Sequence, residues 1–125
     1  MKPRARILAA YDFSEASSAA LAEAIRMSRA TRAELVILHV FAERQSPAEY
    51  GWKGGDTQRE RERRRLLDLL EHEAEDARSV LALARVRTAA GDAAERILEA
   101  AALEDASAVF LGADAHNGFV GNLLG

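Results

Sequence analysis

The chain has 125 residues, 49% of them hydrophobic and 30% charged, which is enough apolar side chain to fill one core and reads as a single globular domain. Its formal charge of -3 offers no overall basic field to nucleic acid or anionic lipid, and the lack of cysteine excludes disulfides, thiolate nucleophiles and zinc-thiolate clusters. No stretch reaches the ~20 apolar residues of a membrane span, and the apolar run near the start is too short for a signal segment and is interrupted by Asp12, so the expected location is the cytoplasm.

Short β-rich runs then alternate with longer helical ones. Residues 6–11 (RILAAY) form a brief apolar run that ends at DFSE, and Ser14 is placed to cap a helix whose inner face is Leu21, Ala24, Ile25 and Ser28. Residues 35–40 (LVILHV) are almost all aliphatic, as in strands buried on both faces. Pro47, Gly51, Gly54 and Gly55 break both periodicities, so residues 44–57 are expected as a flexible loop, with Trp52 inside it. A second helix is expected from Gln58 to Arg78 or Ser79, its apolar line being Leu67, Leu70, Ala74 and Ala77. Residues 83–88 (LARVRT) read as a third strand. Asp92, with Glu95 three residues later, opens a third helix that presents Ala94, Ile97, Leu98 and Ala101 on one face, and residues 107–113 (SAVFLGA) read as a fourth strand.

This alternation predicts an α/β fold, a doubly wound parallel sheet covered by helices. Open sheets of this kind bind ligands beyond the carboxyl ends of their strands, where strand order reverses. Three segments are therefore expected to meet: AYDFS after the first strand, HVFAE after the second and the glycine-rich tail after the fourth.

Other chemistries fit the residues poorly. A receiver domain needs an acidic residue ending its third strand, and ARVRTAAGD supplies only Asp92, which reads as a helix cap. A P-loop nucleotidase needs G-x4-G-K-(S/T), and no lysine follows Lys53. His39, His72 and His116 lie on a strand end, a helix and the tail, a spacing that does not suggest a metal site. The run RERERRR (59–65) interleaves Glu60 and Glu62 and precedes acidic Glu71, Glu73, Glu75 and Asp76, so it reads as a salt-bridged solvent face and not as a nucleic-acid surface. No nucleophile with its base can be assembled, so no catalytic residue is expected.

The ordered segments ILAAYDFSEASSAAL, AELVILHV and GDAAERILEAAALEDASAVFLGA, followed by the glycine tail, resemble the universal stress protein family over nearly the whole chain outside the loop and second helix. The resemblance implies a Rossmann-like sheet whose fifth strand, past Gly125, is missing from this sequence, and it implies a homodimer. In the family's ATP-binding branch the fourth strand runs into G-x2-G-x9-G-(S/T). Gly112 and Gly125 occupy the outer glycine positions here, and Ala115 replaces the middle one. An alanine there costs about 1 kcal/mol or more if the backbone must be left-handed.

Carried over residue by residue, the resemblance places adenine and ribose of ATP against Ala10, Tyr11, Asp12 and Val40. The phosphates fall at Gly112, the Ala115 backbone and Gly125, with His116 either touching a phosphate or facing solvent. Asp12 is suited to accept a ribose hydroxyl or help hold magnesium, or else to orient the turn into the first helix. Tyr11 either stacks on adenine or obstructs it. The implied function is a regulatory stress-response module that binds an adenine nucleotide; the alternative is a stress protein that binds no nucleotide and works through dimerisation and protein interaction, and a third reading, a slow ATPase acting by positioning and charge stabilisation without an identifiable base, requires turnover above the spontaneous rate.

Overall fold

The computed structural model describes residues 4–42 and 58–113. Strands β1 (Arg6–Ala10), β2 (Glu34–Phe41), β3 (Ala84–Ala90) and β4 (Ala108–Phe110) alternate with helices α1 (Glu15–Thr31), α2 (Gln58–Arg78) and α3 (Ala93–Leu103). The strands form one sheet of order β3-β2-β1-β4, parallel throughout, with Leu8 beside Val36 on one side and Val109 on the other. This is the doubly wound α/β architecture that the alternation predicts.

Strand parity builds the two layers. Successive side chains point to opposite faces, so Ile7, Ala9, Leu35 and Ile37 pack under α1 (Leu21, Ala24) and α2 (Leu70, Ala74, Ala77). Leu8, Val36, Leu38 and Val109 meet Ala100 and Ala101 of α3 on the other face. The run Leu35, Val36, Ile37 and Leu38 is fully buried, which is why β2 shows no polar alternation; each of those side chains contributes roughly 1.5–3 kcal/mol. Because α1 and α2 lie on one face and α3 on the other, the reversal of strand order falls between β1 and β4.

The helix starts follow local chemistry. Ser14 caps α1 by accepting the Ser17 N-H at 3.1 Å, and Asp92 caps α3 by accepting the Glu95 N-H at 3.0 Å. The Glu95 carboxylate, three residues after the cap, takes Arg96 at 3.3 Å. At the amino edge of the sheet an ion network joins Arg6, Glu34, Arg85, Arg87 and Glu104; Glu104, buried at the carboxyl end of α3, receives Arg85 and, at 3.0 Å, Arg87.

Two expectations differ in detail. On α3 the buried positions are Ala100 and Ala101, while Ala94 is exposed and Leu98 is 53% exposed, because the amino-terminal half of the helix overhangs a cavity instead of the sheet. The fourth strand stops at Phe110, short of the expected residue 113, because the chain leaves the sheet ladder to run against the start of α1. Residues 44–57 lie outside the described residues.

Candidate functional site

A cavity of about 520 Å³ opens at the carboxyl ends of β1, β2 and β4, at the point where strand order reverses. That volume is in the range of small-molecule sites. Its floor is Ala10, Leu38 and Val40; its roof is the first two turns of α3, contributing Ala93, Ala94, Ile97 and Leu98; its far wall is Leu111 and Gly112. Asp12 and Ser17 supply its polar side chains, with Tyr11 beside them. The structure thus brings together Ala10, Tyr11, Asp12, Val40 and Gly112, which the sequence nominates. Ala115, His116 and Gly125, together with Trp52, lie outside the described residues.

Tyr11, at the edge of this cavity, is anchored on the other side of the sheet. Its ring is buried in the α1/α2 layer, and its hydroxyl donates to Glu73 Oε1 on α2 at 3.3 Å. Tyr11 thus contributes to the cavity's lining just past the end of β1 while its ring packs among Ile7, Ala9 and the α1 and α2 side chains.

Asp12 sits in the turn between β1 and α1. Its Oδ1 accepts the Ser14 N-H at 3.0 Å and the Ser14 hydroxyl at 2.5 Å, and its own N-H donates to Ser17 Oγ at 3.2 Å. Burial pushes the carboxyl up, but the hydrogen bonds from Ser14 and Ser17 outweigh it and hold the group below its ordinary value of 3.8. Asp12 is therefore a carboxylate at neutral pH, and it orients the entry to α1 whatever else it does.

Gly112 is a glycine for a reason visible in the packing. A methyl group built there would lie 2.5 Å from Ser17 N, 2.6 Å from the Ala16 carbonyl carbon and 2.8 Å from Ser17 Cα. The exit from β4 thus lies directly against the backbone of the first turn of α1.

Behind the cavity wall runs an aromatic column. Phe13 takes a left-handed backbone (φ 68°), at a cost of roughly 1–2 kcal/mol, and its ring stands edge-on to Tyr11 (5.0 Å) and His39 (5.3 Å). His39 meets Phe41 at 4.7 Å, and the Arg63 guanidinium lies 4.4 Å from the Phe41 ring centre. His39 Nδ1 lies 2.8 Å from the Tyr11 carbonyl oxygen; that oxygen can only accept, so Nδ1 carries the proton. His39, which sequence reasoning leaves as a simple strand-end residue, pins the turn that carries Asp12. Among the described residues no group of three or more metal-ligating side chains occurs, and no helix is long and apolar enough to cross a membrane.

With this geometry in hand, the family model for the universal stress protein family matches residues 3–125. The chain belongs to that family. Among solved structures, the universal stress protein UspA from Lactobacillus plantarum superposes with a TM-score of 0.71 at 19% identity, covering 96% of this chain and 88% of its own. A universal stress protein from Burkholderia pseudomallei gives 0.61 at 29% identity, with coverage of 87% and 81%. A universal stress protein described as a complex with cAMP gives 0.65 at 15% identity, with coverage of 85% and 74%. No curated protein sequence matches the chain.

In this universal stress protein the α3 roof is the part of the cavity that sequence reasoning misses. The available signal was the stretch AAERIL itself: its Ala94 and Leu98 continue an apolar face one turn beyond the buried pair Ala100 and Ala101, toward the carboxyl ends of the strands.

Proposed function

We propose that this protein is a regulatory stress-response module that binds an adenine nucleotide in the cavity between α3 and the ends of β1, β2 and β4, and that it is not an enzyme. The observation that carries the reading is the convergence of Ala10, Asp12, Val40 and Gly112 on one cavity of about 520 Å³ at the sheet's switch point. Apolar walls from Val40, Ile97, Leu98 and Leu111 suit a flat base, and Asp12 suits a ribose hydroxyl. The cAMP named for one structural relative supports the same ligand class. Magnesium, in this reading, arrives with the nucleotide's phosphates, and Asp12 is the carboxylate in the cavity lining among the described residues. His39 is not in the cavity lining; its ring lies between Phe13 and Phe41, with Nδ1 bonded to the Tyr11 carbonyl.

Calorimetric titration with ATP, with and without magnesium, and with cAMP tests the proposal. Saturable heat below millimolar ligand is the expected result, and heat-silent behaviour at millimolar nucleotide ends it.

One observation favours a second reading, a homodimeric interaction protein that binds no nucleotide. Gly112 is accounted for by its contact with α1 and needs no phosphate to explain it. Ala115→Gly separates the two: about a tenfold gain in ATP affinity, or 1.4 kcal/mol, fits a nucleotide site with one impaired amide, and no change fits the second reading. Sedimentation velocity reports the dimer directly.

A further inference from the structure

Helix α2 carries a charge pattern that works against the helix itself. Residues 58–65, its amino-terminal part, hold five arginines and two glutamates, whereas residues 66–77 hold Asp68, Glu71, Glu73, Glu75 and Asp76 and no lysine or arginine. Cations near a helix amino end and carboxylates near its carboxyl end both oppose the helix dipole, and like charges stand one turn apart at Arg59 and Arg63, at Arg61 and Arg65, and at Glu71 and Glu75. Contacts within the chain answer part of this. Arg78 reaches Glu71 at 2.7 Å, Arg63 lies over Phe41, and Arg59, Glu60, Arg61 and Arg64 have interactions of their own.

The packing of α2 leaves the pattern on the surface. Its buried residues are Leu70, Ala74 and Ala77. Arg65, Leu69, His72 and Asp76 follow one another at spacings of four, three and four, which makes a single stripe along the helix, and all four are exposed, Leu69 by 42%. The stripe has a cation at one end, an anion at the other and Leu69 and His72 between them. It is self-complementary only when reversed. Laid antiparallel on an identical stripe, Arg65 meets Asp76 and Leu69 meets His72, and the twofold axis relating the copies makes each contact twice. A parallel arrangement would set Arg65 against Arg65 and Asp76 against Asp76.

We propose that α2 is a self-association surface: two copies of this chain pair through antiparallel α2 helices, the basic part of each against the acidic part of the other. This contact uses a helix face and not an edge of the sheet, and it stands whether or not the cavity binds a nucleotide. A 21-residue helix is about 30 Å long, so a contact of one helix on another falls at the small end of specific interfaces, below about 1,200 Å². The dimer is therefore weak and rests on exposed charges, and it loosens as salt rises.

Sedimentation equilibrium of the full chain across a range of protein concentration, at low and high salt, is the test. A monomer-dimer equilibrium is expected, with Kd rising about tenfold or more from low to high salt. Arg65→Glu sets carboxylate against carboxylate twice and should weaken the dimer about tenfold, and Asp76→Arg should do the same with cations. The double variant Arg65→Glu/Asp76→Arg restores opposite charges across the axis and should return Kd to near the wild-type value. A merely local effect on α2 would not be repaired in this way, because the two positions lie about three turns apart. A chain that stays monomeric at every concentration and salt overturns the inference, as does a double variant no better than the single ones. A dimer indifferent to salt and to both single reversals also overturns it, while keeping a homodimer formed through another surface. None of these results touches the nucleotide reading, which the ligand titration decides.

Discussion

Replacing Gly112 by alanine is the sharpest test of how the end of β4 is held. Each of the three atoms that the new methyl group meets inside 3.0 Å is backbone of α1, at Ala16 and Ser17, so no side chain can rotate to relieve the contact. Either the β4 exit or the first turn of α1 must shift. Overpacking of a rigid neighbour costs about 1–3 kcal/mol, and the all-backbone contact puts this case at about 2–3 kcal/mol. For a domain of this size that lowers Tm by roughly 6–15 °C. Urea and thermal unfolding of the ligand-free protein are the assays, with Gly91→Ala as the comparison. Gly91 has φ of 130° and no clash, its new methyl making ordinary contact with the Arg96 side chain (3.5 Å to Nε), so its penalty of about 1–3 kcal/mol comes from backbone conformation. If Gly112→Ala unfolds like the wild type and changes only ligand affinity, the packing argument is wrong and the glycine serves the ligand.

Two further perturbations follow from the described contacts. Hydrogen bonds from Arg85 lower the Glu104 pKa against the opposing effect of burial, and Arg87 adds to them, so the group is held below the ordinary glutamate value of 4.5. Its stabilisation is therefore complete above that value and is lost as pH falls through the lowered one; urea midpoints from pH 7 to pH 3 should show this loss, and Glu104→Gln should flatten it while removing about 1–2 kcal/mol at pH 7, a figure reduced by the partial exposure of its arginine partners. Tyr11→Phe deletes the bond to Glu73 and should cost about 0.5–1 kcal/mol in denaturant melts while leaving nucleotide affinity unchanged, since the ring faces α2; a change in affinity would place the ring in the site after all.

Much of the fold was legible because its signals are local. Ser14 and Asp92 cap the helices they precede, Gln58 opens α2, and the aliphatic run 35–38 is buried on both faces. The place of the site, at the carboxyl ends of the strands, was legible from the alternation, but its individual residues only where a resemblance named them. Nothing in the sequence says which face Tyr11 takes, because that depends on which residue of β1 faces α3, and a one-residue change of parity would exchange Tyr11 with Ala10. Gly112 likewise carries no mark in the sequence to distinguish closeness to phosphate from closeness to a helix. The contact with Ala16 and Ser17 joins residues almost a hundred positions apart, and only the parallel pairing of β1 with β4 brings them together. The tie between His39 and the Tyr11 carbonyl depends in the same way on the register of β1 with β2.

The cavity exists because α3 is covered unevenly. At its carboxyl end Ala100 and Ala101 let the helix bury against Leu8, Val36 and Val109, whereas one to two turns earlier Ala94 and Leu98 remain exposed above Leu38 and Val40. Filling that gap from the helix side should close the site without harming the fold. Ala94→Phe adds a side chain on an exposed helical position that already lines the cavity, and each apolar surface it covers favours folding by up to about 2 kcal/mol. The variant should therefore melt at or above the wild-type temperature and lose adenine-nucleotide affinity by about tenfold or more. Retained affinity in a folded Ala94→Phe protein would mean that the ligand does not enter beneath α3, and the occupied site would have to be sought elsewhere on the sheet.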